Sequence, residues 1–187
     1  MMTVRVIAVV LRAAWFVAEK VHDRRQRVAP AADRDRFSLN LLKAATLALP
    51  VGVAVSFTEV GRVGTRGGLL GACGLALMCA GLFVRWWAIR TLGEFFTRSV
   101  KVFDDHRIVR AGLYGHVRHP SYTGALVGNL GFGLALSNWV STLVIVVPVA
   151  AALAYRMRVE ERALLGSFGD EYAEYARETK RLIPKLF

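Results

Sequence analysis

Two short stretches hold the residue types that could do chemistry. "RHPSYTG", residues 118–124, sets an arginine, a histidine and a tyrosine around a proline just before an apolar run. "RMRVEERALLGSFGDEYAEY", residues 156–175, opens with Arg156 and Glu160. Four residues apart on a helix, these two share a face, as do Arg158 and Arg162. Glu160 and Glu161 are adjacent, so they leave one helix in different directions and do not by themselves form a catalytic pair. The chain turns at "GLYGHVRHP" and a helix starts near Ser121. The free N–H groups of its first turn, beside Arg118 and His119, would attract a carboxylate. The same two residues would serve equally well as anchors to lipid headgroups, and the second stretch equally well as a charged juxtamembrane helix with a packed tail.

The elements that must position these residues are membrane helices. Of 187 residues, 55% are hydrophobic and only 21% charged, and the mean hydropathy is positive at +0.40. That balance belongs to an integral membrane protein rather than a soluble domain. The formal charge of +11 does not point to nucleic acid, because the basic residues lie between long apolar runs, where anionic headgroups and the positive-inside rule account for them. Cys73 and Cys79 fall in one apolar run without a partner motif, so neither a metal site nor a disulfide is expected.

A hydrocarbon core takes about 20 apolar residues per helix, and five stretches qualify: about 3–18, 39–57, 67–89, 122–136 and 139–155. Arg5 and Arg12 interrupt the first, which is expected to be an uncleaved span. Pro50 is expected to kink the second. "GGLLGACG" in the third and Gly124, Gly128 and Gly131 in the fourth give small faces for close packing. Only "SN" separates the last two, which requires a tight hairpin. Gly169 is expected to end the helix after the fifth run, and Asp170 to cap the next, whose Tyr172, Tyr175 and Ala176 form an apolar edge toward Leu164, Leu165 and Phe168. Most of the 25 Lys and Arg residues fall in the first connection, the loop 90–121 and the tail 156–187. With five spans these segments share one face, which is predicted to be cytoplasmic, and the N-terminus is predicted extracytoplasmic.

From Leu92 to Pro184 the order and spacing of "HRIVRAGLYGHVRHPSYTG", the tight hairpin, "RMRVEERALLGSFGDEYAEY" and a terminal "IP" resemble the isoprenylcysteine carboxyl methyltransferase family, within a wider group that includes phospholipid methyltransferases. The first half of the chain shows no matching motif. The resemblance implies an all-α integral membrane protein: a single membrane domain over 1–187, with about five transmembrane helices and a cytoplasmic cofactor-binding cap formed by 90–121 and 156–187. It implies methyl transfer from S-adenosylmethionine to a hydrophobic, isoprenoid or lipid-like carboxylate acceptor, classically a prenylated cysteine. The implied cofactor residues are His106, Arg107, Ile108, Val109, Tyr114, His119, Pro120, Ser121, Tyr122 and Glu160. Arg156 would face the acceptor carboxylate and, with Glu160, carry the catalysis.

The residue types suit that chemistry. A sulfonium with an amino acid tail needs an anion near its ammonium group and donors for its carboxylate, which Glu160, His119 and Tyr122 supply. "GFG" at 131–133 lies within the fourth span and reads as packing, not as a nucleotide loop. Three other readings stay open: a phospholipid-type N-methyltransferase, a sterol-reductase-like enzyme using a reduced nicotinamide, and a membrane scaffold without catalysis.

Overall fold

The computed structural model describes residues 2–24, 33–64, 67–96 and 108–184. Two of the predicted site positions, His106 and Arg107, lie outside the described residues, as does the 97–107 part of the long loop. Among the described residues the elements are helical: α1 (Met2–Arg24), α2 (Asp33–Thr46), α3 (Ala48–Val55), α4 (Gly67–Leu92), α5 (Pro120–Ala135), α6 (Trp139–Phe168) and α7 (Asp170–Glu178), with short 3-10 turns at Gly93–Phe95 and Gly112–Gly115.

Each expected apolar stretch is helical, but their lengths differ in ways that matter for the site. Among the described residues three segments are long and apolar enough to cross a membrane, namely Asp35–Val55, Gly67–Leu92 and Trp139–Phe168. α1 has the length but carries Arg5, Arg12, Glu19 and Lys20, and α5 has only 16 residues, about 24 Å at about 1.5 Å per residue. α6 runs on past its apolar run, and Gly169 ends it as expected. The helix continues unbroken to Phe168 with Pro148 inside, so its last turns outrun a hydrocarbon core of about 30 Å. Glu160 lies about 32 Å along α6 from Trp139, near that limit, and Arg156 about one turn before it. In the second stretch the interruption falls at Leu47, not at Pro50 itself. Pro50 has no N–H to donate to the carbonyl of Thr46 and its ring crowds that carbonyl, so the break appears one turn upstream.

The helices run lengthwise between two ends. At one end Arg5 Nη1 donates to Ser56 O (3.1 Å), and Asn138 Nδ2 donates to Val60 O (2.8 Å). Ser137 takes a positive φ of 53° there, and Asn138 caps α6 by accepting from Ser141 N (2.9 Å); this is how two residues suffice for the hairpin. At the other end Arg85 pairs with Glu19 and donates through Nη1 to Ser121 O (3.3 Å).

α4 and α5 pack backbone to backbone. A Cβ on Gly74 would sit 2.8 Å from Gly131 O, so the small faces read from the sequence meet there, and the contact runs on to Gly81, whose Cβ would sit 2.2 Å from Gly128 N. The core beside them comprises Ala8, Met78, Phe132, Ala135, Leu136 and Ile145. Gly81→Val is expected to destabilise the detergent-solubilised protein by about 1–3 kcal/mol or more, because the helices must separate. Gly68→Val, where a Cβ meets nothing within 4 Å, should leave the thermal midpoint unchanged. Equal shifts in the two would show that this backbone contact is not what holds α4 to α5.

Candidate active site

α5 starts with Pro120 at its first position and His119 as its N-cap residue. Proline suits this place because its φ is already helical and its missing N–H would have had no partner. The segment just before it is held by the tail. Arg118 N donates to Lys180 O (2.7 Å), His119 N to Arg181 O (3.0 Å) and Lys180 N to His116 O (3.3 Å). Gly169, at φ 52°, turns the chain from α6 into α7, and Thr123 Oγ1 donates to Leu182 O (2.8 Å) as the tail comes back. Asp170 does not cap α7 with its side chain. It lies in the first turn with Glu171, where negative charge complements the helix dipole. Of the neighbours expected for the tyrosine edge of α7, Leu165 stays 49% exposed, and Tyr175 Oη donates to Tyr114 O (2.8 Å).

This scaffold brings His119, Tyr122, Arg156 and Glu160 together. Tyr122 Oη donates to Glu160 Oε1, Arg156 Nε donates to the same oxygen (3.2 Å), and His119 Nδ1 lies 3.5 Å from Glu160 Oε2. The His119 and Tyr122 rings stack at 5.4 Å. Pro120 and Ser121 are buried in the first turn. Tyr114 is buried too, and its hydroxyl is pushed above the ordinary tyrosine range by burial and then by the charge of Glu160. Ile108 and Val109 are half-buried outside any helix.

Several members of the cluster were not read from the sequence. Glu161 leaves α6 in a different direction from Glu160, as expected, yet His119 bridges the two: its Nε2 is 3.3 Å from Glu161 Oε1. Arg118 Nε donates to Glu161 (3.1 Å), and Arg181 donates to both of its oxygens, through Nε to Oε1 (3.1 Å) and through Nη2 to Oε2 (2.8 Å). Burial opposes the positive form of His119, but its hydrogen bonds to Glu160 and Glu161 outweigh it and hold the imidazole above its ordinary range. Arg156, only 2% exposed, also reaches α2, donating through Nη1 to Asp35 Oδ1 and to Ser38 Oγ (2.7 Å). The pair "EE" could have suggested a bridging histidine; nothing in "DRDRFSLN" singled out Asp35 or Ser38. Tyr172 Oη is buried beside this network without a hydrogen-bond partner among the described residues.

Carboxylates, arginines and hydroxyls, bonded to one another, thus meet in one buried cluster. Residues 74–166, the span that holds His119, Tyr122, Arg156 and Glu160, match the model of the isoprenylcysteine carboxyl methyltransferase (ICMT) family. Over that span the chain is similar to this family. Among its relatives, the protein-S-isoprenylcysteine O-methyltransferase of Schizosaccharomyces pombe is 35% identical over 114 residues, covering 60% of this chain and 48% of the relative. Protein-S-isoprenylcysteine O-methyltransferase B of Arabidopsis thaliana is 35% identical over 113 residues, covering 59% of this chain and 57% of the relative. A solved structure of the eukaryotic intramembrane Ras methyltransferase ICMT is similar with a TM-score of 0.55 and 26% identity, over 82% of this chain and 51% of that one. The chain thus spans about half the length of the curated ICMT relatives it matches. Asp35, Ser38 and Arg181 lie outside the ICMT-matched residues, so these contacts complete the site from segments the family pattern does not cover.

Proposed function

We propose that this protein is an S-adenosylmethionine-dependent membrane methyltransferase that esterifies the carboxylate of a prenylated cysteine or another hydrophobic acid. The observation that carries the reading is the convergence of His119, Tyr122 and Arg156 on Glu160 at the point where α6 outruns the hydrocarbon core. In this reading the chain is a single membrane domain of five spans, with α1 and α5 completing the set, and the site lies on the cytoplasmic face. Support comes from α1, which reaches Ser56 at one end of the bundle and Arg85 at the other. The excess of Lys and Arg in the segments at the site end agrees with a cytoplasmic face and an extracytoplasmic N-terminus.

S-adenosylmethionine, when bound, supplies an electrophilic methyl group. Glu160 would pair with its ammonium group, while His119, Tyr122 and the 106–109, 114 and 120–121 positions would line its site. Arg156 would hold the acceptor carboxylate. An acid with a pKa near 4–5 is already ionised at neutral pH, so no general base is needed and the residues act by placement and exclusion of water. Titration of purified protein should give saturable binding of S-adenosylmethionine and none of a reduced nicotinamide nucleotide, and methyl transfer should favour lipid acids in a screen of acids, thiols and amines. Binding of the nicotinamide instead would replace this reading with the reductase one, and binding of neither would leave the scaffold.

A further inference from the structure

Arg156 is not open to an incoming carboxylate. Its Nη1 is engaged by Asp35 Oδ1 and Ser38 Oγ, and its Nε by Glu160. Arg156 and Asp35 are each 2% exposed and Ser38 is fully buried, so this is an interior ion pair rather than a surface contact. Asp35 sits in the first turn of α2, and Ser38 Oγ donates back to Asp35 O (2.9 Å). The first turn of a helix has few backbone hydrogen bonds of its own to keep it in place.

A buried guanidinium needs a counter-charge at all times. Two carboxylates already surround this one, and a third in the same low-dielectric space would be repelled. A substrate acid can therefore reach Nη1 only by taking the place of an acid already there. Glu160 is tied to His119 and Tyr122 as well, whereas Asp35 belongs to the terminal turn of a separate helix. Resting on the acceptor reading above, we propose that Asp35 is the acceptor-specificity residue: it stands in for the substrate carboxylate on Arg156 and exchanges with it, moving the first turn of α2 as the acid enters. The exchange makes and breaks only hydrogen-bonded ion pairs. It keeps the charge around Arg156 constant, and it favours a carboxylate over its methyl ester, which cannot replace Asp35 and so leaves once formed.

The test compares wild type with Asp35→Asn in lipid nanodiscs, using N-acetyl-S-farnesyl-cysteine and its methyl ester as probes. Removing the competing charge should lower KM for the acid about fivefold to tenfold with kcat within twofold, and should leave binding of the ester unchanged. A fall in kcat at constant KM, or tighter binding of both probes, overturns the proposal. A second measurement leaves the pair intact. Spin labels on Asn40→Cys and Arg158→Cys, both exposed positions, with Cys73 and Cys79 replaced, should change separation on adding the acid and not the ester. An unchanged separation with the acid bound overturns the exchange even where Asp35→Asn fails to fold. Wild type that transfers no methyl group to any acid refutes the acceptor reading; wild type that does so, with Asp35→Asn unaltered, refutes the exchange alone.

Discussion

Arg156→Ala is expected to lower methyl transfer by about a hundredfold or more, because on the proposed reading the acceptor carboxylate would lose the group that aims it at the methyl carbon. The packing of Arg156 adds a second cost. Asp35 and Glu160 would both lose a buried partner, and breaking a buried pair costs about 3–5 kcal/mol. Activity and thermal midpoint should therefore fall together in the alanine variant, and that pair of losses does not separate aim from folding. Arg156→Lys separates them. Lysine keeps the charge that Asp35 and Glu160 require, so the midpoint should recover most of the way. It lacks the planar fork that contacts two partners at fixed angles, so the rate should recover only partly. A lysine variant as active as wild type would mean that Arg156 supplies charge to the fold and does not orient the acceptor.

The contrast between Arg156 and its partners shows what the sequence made legible. Helical spacing placed Arg156 and Glu160 on one face, and the structure has them bonded at 3.2 Å. The apolar runs located the helices, because burial in lipid imposes length and composition directly. The end of α6 was legible from Gly169, while the charges after Tyr155 mark only where the apolar run ends. Asp35, by contrast, was illegible: α2 meets α6 only through folding, and an acidic residue in a charged connection looks the same whether it faces water or a buried arginine. Glu161 is the intermediate case. Its direction on the helix was read correctly, but that an imidazole with two nitrogens can span two divergent carboxylates is visible only when His119 is placed between them.

That bridging histidine carries the last expected result, which concerns affinity and its pH dependence together. Glu160→Gln keeps the shape of the side chain but removes the charge that Tyr122, Arg156 and His119 surround. A hydrogen bond to a charged group contributes about 1.5–3 kcal/mol, so S-adenosylmethionine should bind roughly 10-fold to 150-fold more weakly, whereas Glu174→Gln on the exposed face of α7 should change little. His119 sets the pH limit. Its native value is raised by Glu160 and Glu161 against the effect of burial, so its contribution to stability is complete below the unfolded value of about 6.5 and is lost as pH rises through the higher native one. An ionised acid acceptor adds no acidic limb near neutrality. The rate should thus stay level through neutral pH and decline on the alkaline side, and His119→Gln should abolish that decline, since the amide does not titrate. A rate that climbs about tenfold per unit between about pH 6.5 and 8.5 would require an acceptor that must lose a proton before attack. That acceptor would be an amine or a thiol, and the chain would then act as a phospholipid-type N-methyltransferase or thiol methyltransferase.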